Sequence, residues 1–401
     1  MKNLPKSLKN ANLVNKTVLV RVDYNVPVID GTITDDSKIR ASIQTIQHLL
    51  KNNCKVILLS HIGDPKGKTD DNLSLMDVRF ALGRILEKQI KFANILACEN
   101  SIKFMDFGEV LILENLKFSP QEASKKEEDR ADYMQTLVKL ADLFVYESYG
   151  MDFNVASVTA SVAKLPTYMG LHLEQELEIA KELAKKSKTP ITLVIGDEDF
   201  TKNISLLEIV ASSKNKILLG GELALYFLNA NGVKTGAFEV EPKLLAKVNK
   251  IIKIAAKSGC EIIMPVDHIC AEKKDSEQKP VEVTTQQINK DLISLDIGPK
   301  TLISYREAIE SSNLIIWQGT MGLFTKEQFN KGTEAIGEYI ALSTSKDCYK
   351  IAFGPNVSYA MNILKIKPKR FNFVSLDSGL YVDFMQNQES DILTLLSKKK
   401  A

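Results

Sequence analysis

The sequence has no long apolar run and almost no net charge. No stretch of about 18 apolar residues occurs, so a membrane-spanning helix is not expected. The 52 Lys and Arg residues offset the 50 Asp and Glu residues to leave a formal charge of +2. The chain therefore lacks an overall field that would attract nucleic acid or an anionic membrane. Any phosphate-bearing ligand must be held by a local group of cationic side chains.

Cysteine is also scarce. The five cysteines are scattered and show no CxxC spacing, so neither a disulfide framework nor a zinc site is predicted. The first apolar run, residues 17–20, leads directly into Arg21 and Asp23 and does not match a secretory signal. We therefore expect a cytoplasmic location. With 44% apolar and 25% charged residues, the composition is that of a folded globular protein.

Short apolar runs rich in β-branched residues recur along the chain, and each is followed by a longer stretch with helical spacing. This alternation predicts an α/β fold with parallel sheets that helices cover on both faces. At roughly 100 to 200 residues per domain, a length of 401 predicts two domains. The predicted strands are residues 18–22, 55–59, 110–113, 143–146, 191–195, 216–219, 261–264, 314–317 and 351–353.

An amphipathic stretch between Pro166 and Pro190 predicts a long helix that connects the two sheets. We place the domain boundary within this stretch. The expected organisation is an N-terminal domain of residues 1–170, a C-terminal domain of residues 171–385, and a final segment of residues 386–401.

Motifs that follow the predicted strands resemble those of a known family. In chain order they read VRVDYNVP, SHIGDPKG, LILENLKF, VIGDEDFTKN, LDIGPKT and WQGTMGLF. This series is similar to the phosphoglycerate kinase family over nearly the whole chain. The resemblance implies two Rossmann-like parallel-sheet domains joined by a helical hinge. It further implies a monomer whose C-terminal segment returns to the first domain. From the low net charge and the lack of a long apolar run, we expect no nucleic acid or membrane partner.

The resemblance also implies the chemistry. In the family, the first domain binds 3-phosphoglycerate, the second binds ATP or ADP with Mg²⁺, and a phosphoryl group passes between them. Phosphoryl transfer depends mostly on positioning and on neutralising anionic oxygens. Arginine, lysine and the amides at helix N-termini are therefore the groups to compare.

On the substrate side, the resemblance implies that Asp23, Asn25 and His61 bind the substrate. Lys38 and Lys117 stand at two positions where the family has arginine, and they complete the implied substrate-binding set. Lysine keeps the charge but loses the planar fork with which arginine binds phosphate at two points.

Two further positions where the family has arginine carry no positive charge here. Asn154 stands at one of them and Asp64 at the other. A carboxylate about 4 Å from a phosphate is unfavourable by about 4 kcal/mol at surface-like screening. The sequence therefore predicts weakened phosphate binding on this side.

On the nucleotide side, Asp199 and Asn203 replace two phosphate-facing lysines, and Lys202 lies one residue before the second position. The glycine-rich motifs are also altered, because Phe353 and Pro355 interrupt one and Asp377 enters the other. Because these charged and glycine residues are replaced, we assign no catalytic residue. The family-equivalent catalytic positions are Lys38, Asp199, Asn203 and Gly379. The nucleotide contacts that the resemblance implies are Gly196, Gly220, Gly298, Gln318, Thr325 and Asn356. Asn356 is the one candidate metal ligand among them.

These replacements predict a phosphoglycerate-kinase-like protein with weak or no kinase activity. An alternative is an active glycolytic kinase that uses Lys38, Lys117 and Lys202 as substitutes, with Mg²⁺ and ATP or ADP as cofactors. A second alternative is a non-catalytic hinged protein that binds another ligand or an unidentified protein partner and needs no cofactor.

Overall fold

A computed structural model describes residues 4–29, 31–186, 190–197, 200–275, 279–342, 348–386 and 388–397. The chain divides into two compact units. Unit 1 comprises Met1–Glu178 and Asn387–Ala401, and unit 2 comprises Ile179–Gln386. The division falls inside the helix Leu171–Lys186, which lies where the sequence predicts a long helix.

Unit 1 is built on a parallel sheet. Its strands are β1 (Lys6–Ser7), β2 (Thr17–Arg21), β3 (Val28–Ile29), β4 (Thr32–Ile33), β5 (Lys55–Leu59), β6 (Ile90–Ala93), β7 (Val110–Leu113), β8 (Leu143–Tyr146) and β9 (Thr167–Met169). Within the described residues, seven of these strands pair in the order β1–β9–β8–β2–β5–β7–β6, and β3 pairs with β4 in an antiparallel ribbon. Every pair in the larger sheet is parallel.

The helices of unit 1 connect these strands. They are α1 (Ser37–Ala41), α2 (Ile43–Lys51), α3 (Met76–Leu86), α4 (Cys98–Lys103), α5 (Glu127–Leu140), α6 (Ala156–Lys164) and α7 (Leu171–Lys186). Single 3₁₀ turns add Leu8–Asn10, Asp71–Leu73, Ile95–Ala97, Leu116–Phe118 and Pro120–Ala123.

Unit 2 also has a parallel sheet, with an added antiparallel one. Its strands are β10 (Thr192–Ile195), β11 (Lys216–Leu219), β12 (Glu261–Ile263), β13 (Asp267–Ala271), β14 (Val281–Thr284), β15 (Ile293–Ile297), β16 (Leu314–Gln318), β17 (Tyr349–Phe353) and β18 (Phe373–Ser375). In the described part of unit 2, the parallel sheet has the order β12–β11–β10–β16–β17–β18, and β14–β13–β15 is antiparallel.

The helices of unit 2 follow its strands. They are α8 (Phe200–Ala211), α9 (Gly221–Ala230), α10 (Pro242–Ser258), α11 (Pro299–Glu310), α12 (Lys331–Leu342), α13 (Pro355–Ile363) and α14 (Gly379–Met385), with 3₁₀ turns at Thr285–Gln287, Glu327–Phe329 and Pro368–Arg370. The last helix, α15 (Asp391–Ser397), belongs to unit 1 and packs against β9. None of the helices in the described ranges combines the length and apolarity that a membrane crossing requires.

Burial explains why the central strands are so apolar. Val18, Leu19 and Val20 in β2 are all fully buried, although successive side chains of a strand point to opposite faces. The same holds for Ile315 and Ile316 in β16. Both faces of each parallel sheet are therefore covered, as in other parallel α/β proteins. The predicted α/β class is confirmed.

The predicted strands all lie in the two parallel sheets, with ends that differ by at most two residues. The sequence did not predict the antiparallel sheet β14–β13–β15. Its strands carry polar residues such as Asp267, His268 and Glu282, so they lack the continuous apolar run of the central strands. They gave no signal to a search for buried parallel strands.

A carboxyl group is buried at the end of β8. Glu147 is 1% exposed, and its Oε1 accepts hydrogen bonds from Thr45 Oγ1 at 2.8 Å and from the amide of His172 at 3.3 Å. Its Oε2 is buried without a hydrogen-bond donor among the described residues. Burial is the main cause that raises the pKa of Glu147 to about 8, and the nearby Glu176 carboxyl raises it further.

This pKa predicts the effect of Glu147→Gln on stability. Between about pH 4.5 and pH 8, folded Glu147 holds a proton that the unfolded chain has released. Its contribution to stability therefore falls by about 1.4 kcal/mol per pH unit as the pH rises through this window. We expect Glu147→Gln to remove that slope from the urea unfolding of unit 1, followed by NMR. Glu128→Gln on the exposed face of α5 is the control, and an unchanged slope in Glu147→Gln would contradict the account.

Candidate functional site

The candidate anion site of unit 1 lies at the carboxyl ends of two adjacent parallel strands. Asp23 and Asn25 follow the end of β2, and His61 follows the end of β5. These two strands are neighbours in the sheet, so the residues that follow them share one edge. Ligands of open parallel sheets bind at this edge.

Three of the residues predicted to bind substrate form a connected group. Asp23 Oδ2 pairs with Lys38 Nζ at 2.8 Å, and Asp23 Oδ1 accepts a hydrogen bond from the amide of Asn25 at 3.0 Å. Asn25 Oδ1 in turn accepts the amide of Gly63 at 2.9 Å, which ties it to the loop after β5. The charge of Lys38 is therefore offset by Asp23.

A buried arginine holds His61 in place. Arg21 is 1% exposed, its Nη1 donates to two backbone carbonyls at 3.1 and 3.3 Å, and its Nη2 lies 3.2 Å from His61 Nδ1. Because a guanidinium only donates, His61 Nδ1 accepts and the imidazole is neutral. Burial, followed by the charges of Arg21, Lys117 and Lys38, lowers the pKa of His61 to about 2.

The charges around His61 are only partly neutralised. Lys117 lies in the turn Leu116–Phe118, which hydrogen bonds join to the loop after β5: the amide of Leu116 donates to Ser60 O at 3.1 Å, and Lys117 O accepts the amide of Gly67 at 3.2 Å. In the part of the chain that the structure describes, neither Arg21 nor Lys117 pairs with a carboxylate, in contrast to Lys38. Lys117 is therefore a cation that an anion at this edge of the sheet could contact, whereas buried Arg21 acts on the site through His61.

Asp64 and Asn154, which stand at arginine positions of the family, are both exposed. Asp64 lies in the loop after β5, and Asn154 lies in the loop between β8 and α6. Their side chains reach solvent at the same edge of the sheet as His61.

Unit 2 contains a cleft of about 200 Å³ at the carboxyl ends of its parallel strands. Asp197 follows β10, Thr320 follows β16, and Asn356 follows β17. These three strands are adjacent in the sheet. The cleft is lined by Asp197, Gly221, Glu222, Ala224, Pro265, His268, Lys274, Ser294, Leu295, Asp296, Ile297, Thr320, Met321, Gly322, Leu323, Phe324 and Asn356.

A carboxylate of the protein occupies the start of the helix that lines this cleft. Asp197 Oδ1 accepts the amide of Glu222, in the first turn of α9, at 2.6 Å. Gly221 has φ of +57°, and a Cβ there would lie 2.1 Å from Asp197 Oδ1, so only glycine fits. Burial is the main cause that raises the pKa of Asp197 to about 7. This carboxyl group stands where an external anion would meet a helix N-terminus.

The same arrangement recurs at other helix starts of unit 2. In each case a carboxylate of the chain accepts the amides of the first helical turn, which leaves them no hydrogen to donate to a ligand. Asp267 accepts the amides of Lys300 and Thr301 of α11, each at 2.8 Å; Asp296 accepts Gly332 of α12 at 2.7 Å; and Asp377 accepts Gly379 of α14 at 2.7 Å.

Asn203, at one of the predicted catalytic positions, faces the interior. Both Asn203 and Gln318 are 1% exposed, and Gln318 Nε2 donates to Asn203 Oδ1 at 2.6 Å. Asn203 Nδ2 donates to Gly196 O at 3.1 Å. Gln318 Oε1 is buried without a donor among the described residues, and neither side chain lines the cleft.

The other predicted nucleotide contacts are dispersed. Asn356 lines the cleft and Thr325 is exposed. Gly196, Gly220 and Gly298 pack closely against neighbouring segments, where a Cβ would clash with Thr320, Met321 and Asp267, respectively. Asp199 and the side chain of Lys202 lie outside the described residues.

The residues present do not fit a Mg²⁺ site. Asn356, the candidate ligand, uses Nδ2 to donate to the backbone carbonyl of Asp197 at 3.3 Å, which leaves one neutral oxygen. No group of three His, Cys, Asp or Glu side chains arranged for a metal occurs in the described ranges. Magnesium favours carboxylate and phosphate oxygens in octahedral geometry.

The charge pattern in the cleft was not predicted from the sequence. Lys274 Nζ pairs with Glu222 Oε1 at 2.9 Å, so this cation is neutralised, while Asp197 and Asp296 add further carboxyl groups. Their contacts join residues far apart along the chain, and a motif search does not detect such pairs. Asp197 alone was visible, as one of three adjacent acidic residues after a strand.

Comparison with known proteins reveals one family. A sequence model described as "Phosphoglycerate kinase" matches residues 8–388. The chain is 32% identical over 397 residues to phosphoglycerate kinase of Elusimicrobium minutum, covering 98% of each protein. It is 31% identical over 399 residues to phosphoglycerate kinase of Bifidobacterium longum, covering 98% of this chain and 100% of that protein.

Solved structures are similar over the same extent. Phosphoglycerate kinase from Pyrococcus horikoshii matches with a TM-score of 0.83 and 27% identity, covering 98% of both chains. Phosphoglycerate kinase from Coxiella burnetii matches with a TM-score of 0.76 and 26% identity, covering 98% of this chain and 99% of that one.

The surroundings of His61 predict that its imidazole stays neutral from pH 5 to pH 8 in the folded protein. With a pKa of about 2, long-range ¹H–¹⁵N spectra should place the proton on Nε2 throughout this range. The urea-unfolded chain is the control, because an unfolded histidine titrates near pH 6.5. A titration of folded His61 with a midpoint between pH 5 and pH 8 would contradict the assigned geometry.

Proposed function

Because the chain belongs to the phosphoglycerate kinase family, we propose that it is a member that binds a phosphorylated carboxylic acid in unit 1 but has weak or no kinase activity. The observation that carries this proposal is the carboxylate of Asp197, which accepts the amide of Glu222 in the unit 2 cleft at 2.6 Å. A nucleotide phosphate would have to displace Asp197 from this amide, and the ionised fraction of the carboxyl group, whose pKa is about 7, would repel it.

Binding in unit 1 is supported by its cationic groups. Lys117 has no carboxylate partner among the described residues, and His61, which Arg21 holds in place, offers a neutral N–H. An anion with a carboxylate, a hydroxyl and a phosphate group, such as 3-phosphoglycerate, complements this set together with the oxygens of Asp23 and Asn25.

Impaired transfer is supported by the side chains of unit 2. The family-equivalent position Asn203 is buried and neutral, and Asp377 occupies the amide at the start of α14. One electrostatic contact to a transition state contributes about 3 kcal/mol, so loss of two lysines lowers turnover by about four orders of magnitude.

The second candidate is an active phosphoglycerate kinase of glycolysis. The relatives named above favour it, because all of them carry that name. In this reading Lys38, Lys117 and Lys202 replace the missing cations, and Mg²⁺ with ATP or ADP is the cofactor. A third reading, a non-catalytic protein with a less anionic ligand, is favoured by the carboxyl groups of Asp197 and Asp296 in the cleft.

Calorimetry on the full-length chain tests the proposal. We expect 3-phosphoglycerate to bind and Mg-ATP to give no heat at concentrations that saturate the Bifidobacterium longum enzyme, measured alongside. A coupled assay should show turnover at least about a thousandfold below that enzyme.

Each alternative has its own result. Tight Mg-ATP binding and turnover near that of the Bifidobacterium longum enzyme would establish the active kinase and overturn the proposal. If neither 3-phosphoglycerate nor Mg-ATP gives a heat of binding, unit 1 does not bind the anion that we propose, and the third reading is favoured.

A further inference from the structure

Arg130 lies outside the motifs that resemble the family. Its side chain contacts Asn154, which stands at a position where the family has an arginine. Arg130 lies in α5, and its Nη1 donates to Asn154 Oδ1 at 3.2 Å and to Ser124 O at 3.3 Å. Asn154 is the exposed residue at one of the family's arginine positions. A guanidinium from a different element therefore stands beside the substituted position.

The charge of Arg130 is not neutralised. Both groups that its Nη1 contacts, Asn154 and Ser124, are neutral acceptors, and Arg130 pairs with no carboxylate within the described ranges. Its Nε is buried and has no acceptor there. An arginine held by neutral acceptors keeps its full charge for an anion. Because Nη1 donates to these two acceptors and Nε is buried, the two N–H groups of Nη2 are those left to bind phosphate or carboxylate oxygens.

Helix α5 carries Arg130 close to the cations described above. Tyr133, three residues further along the same helix, donates from its hydroxyl to Leu116 O at 3.1 Å, and Leu116 directly precedes Lys117. Three residues advance a helix by about 4.5 Å, and side chains three apart lie on the same face. Arg130 is therefore within one helical turn of the segment that holds Lys117.

The segments around Arg130 are themselves fixed. Glu122, which is buried, accepts the amide of Ser157 at 3.0 Å and its hydroxyl at 2.5 Å, and this joins the turn Pro120–Ala123 to the start of α6. Tyr146 donates to Met151 O at 3.2 Å, which holds the loop that contains Asn154. A rigid support of this kind keeps a binding side chain in one place.

We propose that Arg130 is an anion-binding residue of unit 1, which supplies from α5 a guanidinium for the phosphate or carboxylate oxygens of the ligand. The inference rests on the proposed anion binding in unit 1 and adds a residue to it. Like Lys117, Arg130 pairs with no carboxylate among the described residues.

The test measures binding of 3-phosphoglycerate and, separately, of inorganic phosphate to the full-length chain and its variants. Arg130→Ala should raise Kd for 3-phosphoglycerate about tenfold or more, because one charge-assisted contact is lost. Arg130→Lys should give an intermediate Kd. Arg84→Ala, which removes an exposed arginine of α3, is the matched control and should leave Kd unchanged.

A relocated arginine separates binding from structure. In the double variant Arg130→Ala/Asn154→Arg, the arginine at position 154 replaces the guanidinium lost at position 130. The Kd for 3-phosphoglycerate should then recover toward the parent value. If Kd is unchanged in Arg130→Ala while the parent binds, Arg130 has no such role and the proposed function stands. A loss that the double variant does not recover would assign Arg130 a structural role and overturn the inference. No binding by the parent protein overturns both.

Discussion

One electrostatic constraint applies in each unit: an anion binds where a cation or a backbone amide has no partner within the protein. In unit 1 the carboxyl ends of β2 and β5 carry Arg21, which holds neutral His61, and the adjoining turn carries Lys117. Of the cations at this edge, Lys38 is the one that Asp23 neutralises. The charge that remains is the basis of the anion binding that we propose for this edge of the sheet, which the net charge of +2 does not suggest.

The same constraint acts in the opposite direction in unit 2. Carboxylates of the chain itself accept the amides at the starts of α9, α11, α12 and α14. These contacts stabilise the helices, because a negative charge is favourable at a helix N-terminus. They also occupy amides that could otherwise donate to an anion. Local stabilisation and the weak nucleotide binding that we propose therefore follow from the same side chains.

The sequence predicted the two parallel sheets because strands buried on both faces consist of continuous apolar runs, as in β2 and β16. It also indicated that a lysine position holds Asn203, but not that this side chain turns inward to Gln318, which lies 115 residues away. Arg130 was missed although it precedes buried Met134 by one helical turn, which puts an arginine on the packed face of α5. Contacts between distant segments carry no local pattern, so only the fold reveals them.

The most direct measurement is a titration of the full-length, ¹⁵N-labelled chain with inorganic phosphate, followed through its backbone amide signals. The account predicts saturable shifts for residues 61–67 and 116–118. The amides of Glu222, Gly332 and Gly379 should not respond, because each already donates to a carboxylate. Saturable shifts at these three amides, with none in unit 1, would contradict it.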